Sequence, residues 1–285
     1  MDDLIERAAK GLSNSHYAIA LTGAGMSTES GIPDFRGPNG IWTKNPDAER
    51  NAYEAYDNFL RDPKAHWEEI LTPGSFFGLF EDIAKSSPNS GHYALAELEK
   101  MGILKLVITQ NIDGLHQKAG NQNIIEYHGG LLKLRCTSCG LRFDREKFNL
   151  EELKNDSQLP PRCQECKGIL KPDGVYFTEP IPGDVYRQSL EAALKCDLML
   201  ICGTSAVIYP FAQLPRVARE HKSNRERKSE FGLYPEEAAS AMTIIEVNAE
   251  PTPLTDENIS DYLIQGRTAQ VLPRLVKEVK KPKKG

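Results

Sequence analysis

Short apolar runs separated by longer amphipathic stretches set the rhythm of this chain. The runs at 17–21, 105–109, 197–202 and 243–247 have the length and aliphatic content of strands buried on both faces. Helical periodicity lies between or beside them at 90–101, 183–195, 207–220 and 269–280. "NSGHYALAELEKMG" is the plainest case. Ser90 can cap it, Tyr93, Leu95, Ala96 and Leu98 form an apolar stripe, and Gly102 can end it. At the N-terminus, Leu4, Ile5, Ala8 and Ala9 also recur at helical spacing. Strand alternating with helix predicts an open α/β sheet with helices on both faces.

Two regions break the rhythm. Residues 38–88 hold several short helical patterns punctuated by Pro and Gly, with no clear strand, and residues 131–173 carry paired cysteines. Both read as insertions that together build a smaller lobe, and a cleft between lobes is a common ligand site. The polar stretch 221–240, following a helix, reads as a solvated surface loop.

Composition narrows the picture. The chain has 285 residues, 40% of them apolar and 26% charged, as in a soluble globular protein of one large domain plus an insert. No run approaches the ~18 apolar residues of a membrane span, and the first residues lack a signal peptide's basic start and apolar core. A cytoplasmic protein without membrane association is expected. A net charge of −5 argues against direct nucleic-acid binding, and the basic tail "KEVKKPKKG" reads as a solvated end.

"CTSC" and "CQEC" place Cys136, Cys139, Cys163 and Cys166 as two Cys-x-x-Cys pairs. Each pair can turn both thiolates toward one metal, and two pairs complete the four-sulfur shell zinc favours. A helical excursion at 145–154 would absorb the intervening chain. Such a shell is closed, so the zinc is expected to be structural. Cys196 and Cys202, beside or within a strand, read as core residues.

The remaining chemistry gathers at strand ends. "LTGAGMSTESGIPDFRG" follows the first strand with Gly23 and Gly25 placed as in a dinucleotide fingerprint, but Thr28 stands where the third glycine belongs. "TQNID" ends the second strand, "EYHGG" puts His128 after another short one, and "GTS" and Asn248 end two more. Polar groups at the C-terminal ends of parallel strands lie where α/β sheets bind ligands.

The motifs "GAGMSTESGIPDFRG", "TQNIDGLHQKAG", "HGG", the cysteine pairs, "GTS" and "VNAEPT" occur in the order found in sirtuins, which the chain resembles over roughly residues 3 to 279. Sirtuins are NAD-dependent protein-lysine deacylases. The resemblance implies a Rossmann-like large lobe, approximately 1–37, 89–130 and 174–285. It also implies a small zinc lobe, approximately 38–88 and 131–173, with NAD and an acyl-lysine protein meeting in the cleft. It implies that Gly23, Ala24, Gly25 and Thr28 line the NAD pyrophosphate. Phe35 and Arg36 would belong to a loop over the nicotinamide ribose, and Asn248 would recognise the other ribose. Gln110, Ile112, Gly203, Thr204, Ser205 and Ala269 are further expected cofactor contacts, with Ile112 packing on the nicotinamide ring. Asn111 and Asp113 would position a water and the nicotinamide amide. His128 would be the general base, best served by an imidazole titrating near neutrality. Val175 and Phe177 would line the acyl-lysine channel.

"GVYFTEP" departs from the family's Phe-Gly-Glu, with Thr178 in place of the glycine. After Trp67 come Glu68, Glu69, Ile70 and Leu71, without the Tyr-x-x-Arg pair of sirtuins that take acidic acyl groups, so neutral acyl groups are expected. An NAD hydrolase or ADP-ribosyltransferase on the same scaffold is the alternative. A dehydrogenase is disfavoured by the missing third glycine and the lack of an acid ending the second strand. A zinc-ribbon nucleic-acid binder leaves the strand-end clusters unexplained.

Overall fold

The computed structural model describes residues 1–37, 40–72, 83, 85–230 and 242–282, apart from the side chains of 224–230. Nine strands are present among them: β1 Ala18–Thr22, β2 Leu104–Thr109, β3 Ile124–Glu126, β4 Lys133–Cys136, β5 Arg142–Asp144, β6 Leu170–Pro172, β7 Leu198–Cys202, β8 Thr243–Asn248 and β9 Tyr262–Gln265. Six of them form one sheet in the order β3-β2-β1-β7-β8-β9, every neighbouring pair parallel. Winding reverses between β1 and β7, which makes the C-terminal edge of that pair the topological switch point.

The pleat explains why the strands read as unbroken apolar runs. Ala18 and Ala20 of β1 face a core shared with Ile5, Leu12, Leu95, Leu98 and Leu272. Ile19 and Leu21 face a second core with Tyr127, Phe211 and Ala218. Helices Asp2–Asn14, Ser90–Lys100 and Thr268–Val279 cover the first face, and Gly183–Lys195 and Gln213–Glu230 the second. With both faces covered, β1 and β7 are buried at every position.

The helix expected over 207–220 instead begins at Gln213 and runs to Glu230. This corrects the surface-loop expectation for 221–230. Lys, Arg, Glu, Ser and Asn there carry neither glycine nor proline, so a polar helix can continue past its apolar contacts. The rest of that stretch, 231–241, lies outside the described residues, as does most of 73–84. Strand β9 is only four residues long, too short for a periodicity to mark.

The two insertions share a core. β5-β4-β6 form a three-stranded antiparallel sheet. Leu134, Leu150, Leu159 and Leu170 there pack against Trp67 and Ile70 of helix Pro63–Ile70, and the Trp67 indole donates to the Leu170 carbonyl at 2.9 Å. The excursion expected at 145–154 is a short turn followed by helix Leu150–Asn155. The first insertion is helical where described: Ile41–Lys44, Pro46–Arg61 and Pro63–Ile70. Asn45 and Asp62 each cap the helix that follows, with Pro46 and Pro63 in the first turns.

Candidate active site

The four paired cysteines converge, all their Sγ atoms within 4.8 Å of one another. Cys136 and Cys166 are 3.4 Å apart, and Cys139 and Cys163 3.8 Å. Tetrahedral zinc with bonds of about 2.3 Å spaces its sulfurs by about 3.8 Å, so the cluster fits the ion. The N–H groups of Ser138 and Cys139 point at Cys136 Sγ from 3.4 and 3.5 Å, favouring a thiolate. Cys196 and Cys202 are fully buried core residues, as expected.

At the switch point, the loop after β1 is bound to the loop after β7. Gly23 N–H donates to the Cys202 carbonyl (3.3 Å) and Gly25 N–H to the Gly203 carbonyl (2.8 Å). The close approach explains both glycines. A Cβ on Gly25 would lie 2.9 Å from the Gly203 oxygen, and one on Gly23 would lie 2.6 Å from Thr204 Cβ. Thr204 is the hub of the second loop: its hydroxyl accepts from Gln110 Nε2 (2.7 Å) and Ala206 N–H (3.1 Å). Its own N–H donates to Asn248 Oδ1 (3.0 Å), whose Nδ2 in turn donates to Glu246. Ala24 lies in a single 3₁₀ turn, and Thr28 donates to the Gly25 carbonyl at 3.1 Å. Ser205 is exposed. Ala269, at the start of the last helix, is tied by its N–H to Glu29.

Asn111 and Asp113 meet at Ser27. Asn111 Nδ2 donates to the Gly23 carbonyl and to Ser27 Oγ, both at 3.0 Å. Ser27 Oγ donates to Asp113 Oδ2 at 2.7 Å, and Asp113 Oδ1 accepts from Leu115 N–H. Burial raises the Asp113 carboxyl above its ordinary value despite these bonds. His92 stands behind Ser27. Its Nδ1 accepts from Asn89 N–H, which leaves the Nε2 proton directed at Ser27 Oγ, 3.5 Å away. Burial holds His92 down to about 4 and His116, against it, to about 3.

His128 follows β3 among the rings of Tyr127 and Phe211. Its Nδ1 lies 3.3 Å from the Gln110 carbonyl, which selects the tautomer with an Nε2 lone pair. Burial lowers its pKa to about 4, against the opposing pull of that carbonyl. Burial among these rings thus holds His128 below the near-neutral titration expected. The backbone carbonyl of His128 accepts from Val175 N–H at 2.8 Å, so the segment bearing Val175 and Phe177 adjoins the histidine. The Ile112 carbonyl accepts from Leu131 N–H in the same neighbourhood. Thr178 adopts a left-handed φ of 68°, the conformation that a glycine takes without penalty.

Phe177 packs against Trp42 (5.3 Å between centroids) and Tyr53 (4.7 Å), and Trp42 against Phe35 (5.0 Å). Arg36 lies over the Trp42 ring and pairs with Glu49. The structure thus brings Gln110, Asn111, Asp113 and His128 together at the end of β2, and Arg36 and Ser205 are exposed. Ser27, His92, Trp42 and Tyr53 were missed in the sequence. Only Ser27, inside the glycine-rich loop, carried a local signal.

The chain matches the Sir2 family over residues 23–210. It belongs to the Sir2 family. A relative in Pyrobaculum aerophilum, named NAD-dependent protein deacylase 2, is 40% identical over 270 residues, covering 95% of this chain and 94% of the relative. The crystal structure of a Sir2 homologue–NAD complex is 35% identical with a TM-score of 0.72, covering 96% of this chain and 93% of that one. A Sir2 protein bound to a myristoylated histone peptide is 36% identical with a TM-score of 0.64, covering 98% of each chain.

Proposed function

We propose that this Sir2-family chain removes neutral acyl groups from protein lysines at the expense of NAD, releasing nicotinamide and an O-acyl-ADP-ribose. The observation that carries the reading is the convergence of Asn111, Asp113 and Ser27 on the loop of Gly23–Gly25, with His128 beside the Val175–Phe177 segment. Polar side chains gathered on a glycine-rich loop at a switch point suit a dinucleotide. Bound NAD supplies an electrophilic ribose C1′ and nicotinamide as leaving group.

The chain's residues then have distinct tasks. Gly23, Ala24, Gly25, Thr28, Gln110, Gly203, Thr204, Ser205, Asn248 and Ala269 form the cofactor wall, and Phe35 and Arg36 approach from the loop above. Ile112 packs against the nicotinamide. Asn111, with Ser27 and the Gly23 carbonyl fixing its amide, and Asp113, fixed by Ser27 and Leu115, hold ligand amide and water. His128 Nε2 accepts the proton of a ribose hydroxyl, and the Gln110 carbonyl steadies the imidazolium that forms. Val175 and Phe177, with Trp42 and Tyr53, line the acyl-lysine channel.

The zinc held by Cys136, Cys139, Cys163 and Cys166 supports the smaller lobe and takes no part in chemistry. We assign that lobe approximately to 38–88 and 131–173, and the larger one to the remainder. Among the described residues no helix is long and apolar enough to cross a membrane, and we place the protein in the cytoplasm, acting on acylated proteins.

The test is incubation with NAD and an acetyl-lysine peptide, with products identified by mass. Peptide deacetylation matched one-for-one by O-acetyl-ADP-ribose is expected. ADP-ribose with an unchanged peptide would refute the proposal in favour of NAD hydrolysis, and NADH would point to a dehydrogenase.

A further inference from the structure

Beneath the segment that carries Val175 and Phe177 lies a buried ionic cluster for which the chemistry above has no use. Lys171 is 2% exposed. Its Nζ is 2.7 Å from the Pro172 carbonyl, 2.8 Å from the Gly174 carbonyl and 3.1 Å from Glu179 Oε2. Three ammonium hydrogens meet three oxygens. Glu179 Oε2 also accepts from Tyr176 N–H at 3.0 Å, and its Oε1 from Arg135 at 2.7 Å. Arg135 and Arg142 both reach Asp173 Oδ1, each at 3.1 Å.

The two side chains therefore brace the bend from inside: Lys171 holds carbonyls near its start, and Glu179 holds an N–H near its end. The Tyr176 ring lies under the Lys171 ammonium, with its hydroxyl 2.8 Å from His66 Nε2 on helix Pro63–Ile70. Val175, between them, donates to the His128 carbonyl. On the same side, a Cβ at Gly129 would overlap the Asp173 carbonyl, so the turn after His128 is seated directly on this bend. Buried ion clusters are seldom the most stabilising way to fill a core, since apolar side chains of equal volume often do as well or better. What such a cluster supplies here is a single backbone geometry.

We propose that Lys171 and Glu179 are positioning residues for acyl-lysine binding, holding 172–179 in the shape that presents Val175 and Phe177 beside His128. The assignment rests on the deacylase reading above. Lys171→Met is a clean probe of it. Two guanidiniums, Arg135 and Arg142, remain opposite two carboxylates, Asp173 and Glu179, so no uncompensated charge is buried. Steady-state rates would be measured with NAD and an acetyl-lysine peptide varied independently, with zinc content as a check on the small lobe.

The peptide KM should rise about tenfold while the NAD KM stays within about twofold, because charged hydrogen bonds to the bend are lost and the cofactor wall is untouched. Glu179→Gln should shift the peptide KM in the same direction. The double variant should fall short of the product of the two single effects, since both act on one bend. If Lys171→Met fails to fold, Glu179→Gln is held to the same criterion. A peptide KM within about twofold of wild type, or an NAD KM rising in parallel, would overturn the assignment. Wild-type protein that leaves the acetyl-lysine peptide intact would overturn the deacylase reading itself, and this assignment with it.

Discussion

Gly25→Ala tests whether the glycine-rich loop is shaped by the protein or only by its ligand. The new methyl would lie 2.9, 3.0 and 3.1 Å from the oxygen, Cα and carbonyl carbon of Gly203, where carbon contacts prefer about 3.5 Å or more. Every obstructing atom is backbone. Gly203 cannot readily recede, because it sits at a φ of 61° with its N–H bonded to the Val247 carbonyl at 3.0 Å. The loops must part by about half an ångström, which stretches and weakens the 2.8 Å bond from Gly25 N–H to the Gly203 carbonyl. Weakening that bond costs at most about 0.5–1.5 kcal/mol and the overpacking about 1–3 kcal/mol. A total of about 2–4 kcal/mol should lower the melting temperature of the NAD-free protein by roughly 5–15 °C. Scanning fluorimetry without NAD is the assay, with the NAD KM measured alongside. A ligand-free Tm within about 1 °C of wild type, with NAD affinity lost, would refute the reasoning and leave phosphate approach as the sole reason for the glycine.

Cys136→Ser should lose the metal and unfold the small lobe, since metal binding and folding are coupled; elemental analysis showing no zinc in a folded, active wild type would contradict this. His128→Ala should keep its NAD affinity but lose deacylation by roughly 10²–10⁴-fold at saturating substrate, as read in single-turnover assays. Burial holds the folded-state values of His92, His116 and His128 well below 6.5. The stability they contribute is therefore complete above about pH 6.5 and should be lost as pH falls toward about 4, measurable as a declining Tm across that window. Acetyl- or longer aliphatic acyl-lysine should be cleaved with higher kcat/KM than succinyl-lysine on matched peptides, because residues 68–71 after Trp67 supply no cation to meet an acyl carboxylate.

The sheet was legible because each of its longer strands is buried twice over. Ile19 and Leu21 are as apolar as the opposite face demands, so no solvent-side polarity blurs the run. The metal cluster was legible for a different reason: spacing within each Cys-x-x-Cys pair is itself the geometry of a tight turn. Asn111, Asp113 and His128 could be picked out only as parts of motifs at strand ends. The groups that fix them, Ser27, His92 and the Gln110 carbonyl, come from three segments that meet only in the folded sheet. The low pKa of His128 was illegible because it depends on rings from elsewhere, Phe211 among them. Polarity misled at 221–230, where a run that has no apolar face still continues a helix.

The position of β1 has a consequence for how the chain is made. It precedes the other eight strands in chain order, yet it lies between β2 and β7, with Ala18 opposite Leu104 on one side and Leu198 on the other. One edge can pair once β2 has been made, but the other stays unpaired until β7, most of the way along the chain, has been synthesised, and pairing with such a distant partner is slow. Unpaired, wholly apolar strand edges invite association with other chains. The local β4–β6 sheet and its metal cluster can close before that, so the smaller unit is finished while β1 still waits for β7. Nascent chains truncated between residues 173 and 198 should accordingly bind zinc while exposing β1 to chaperones or to one another.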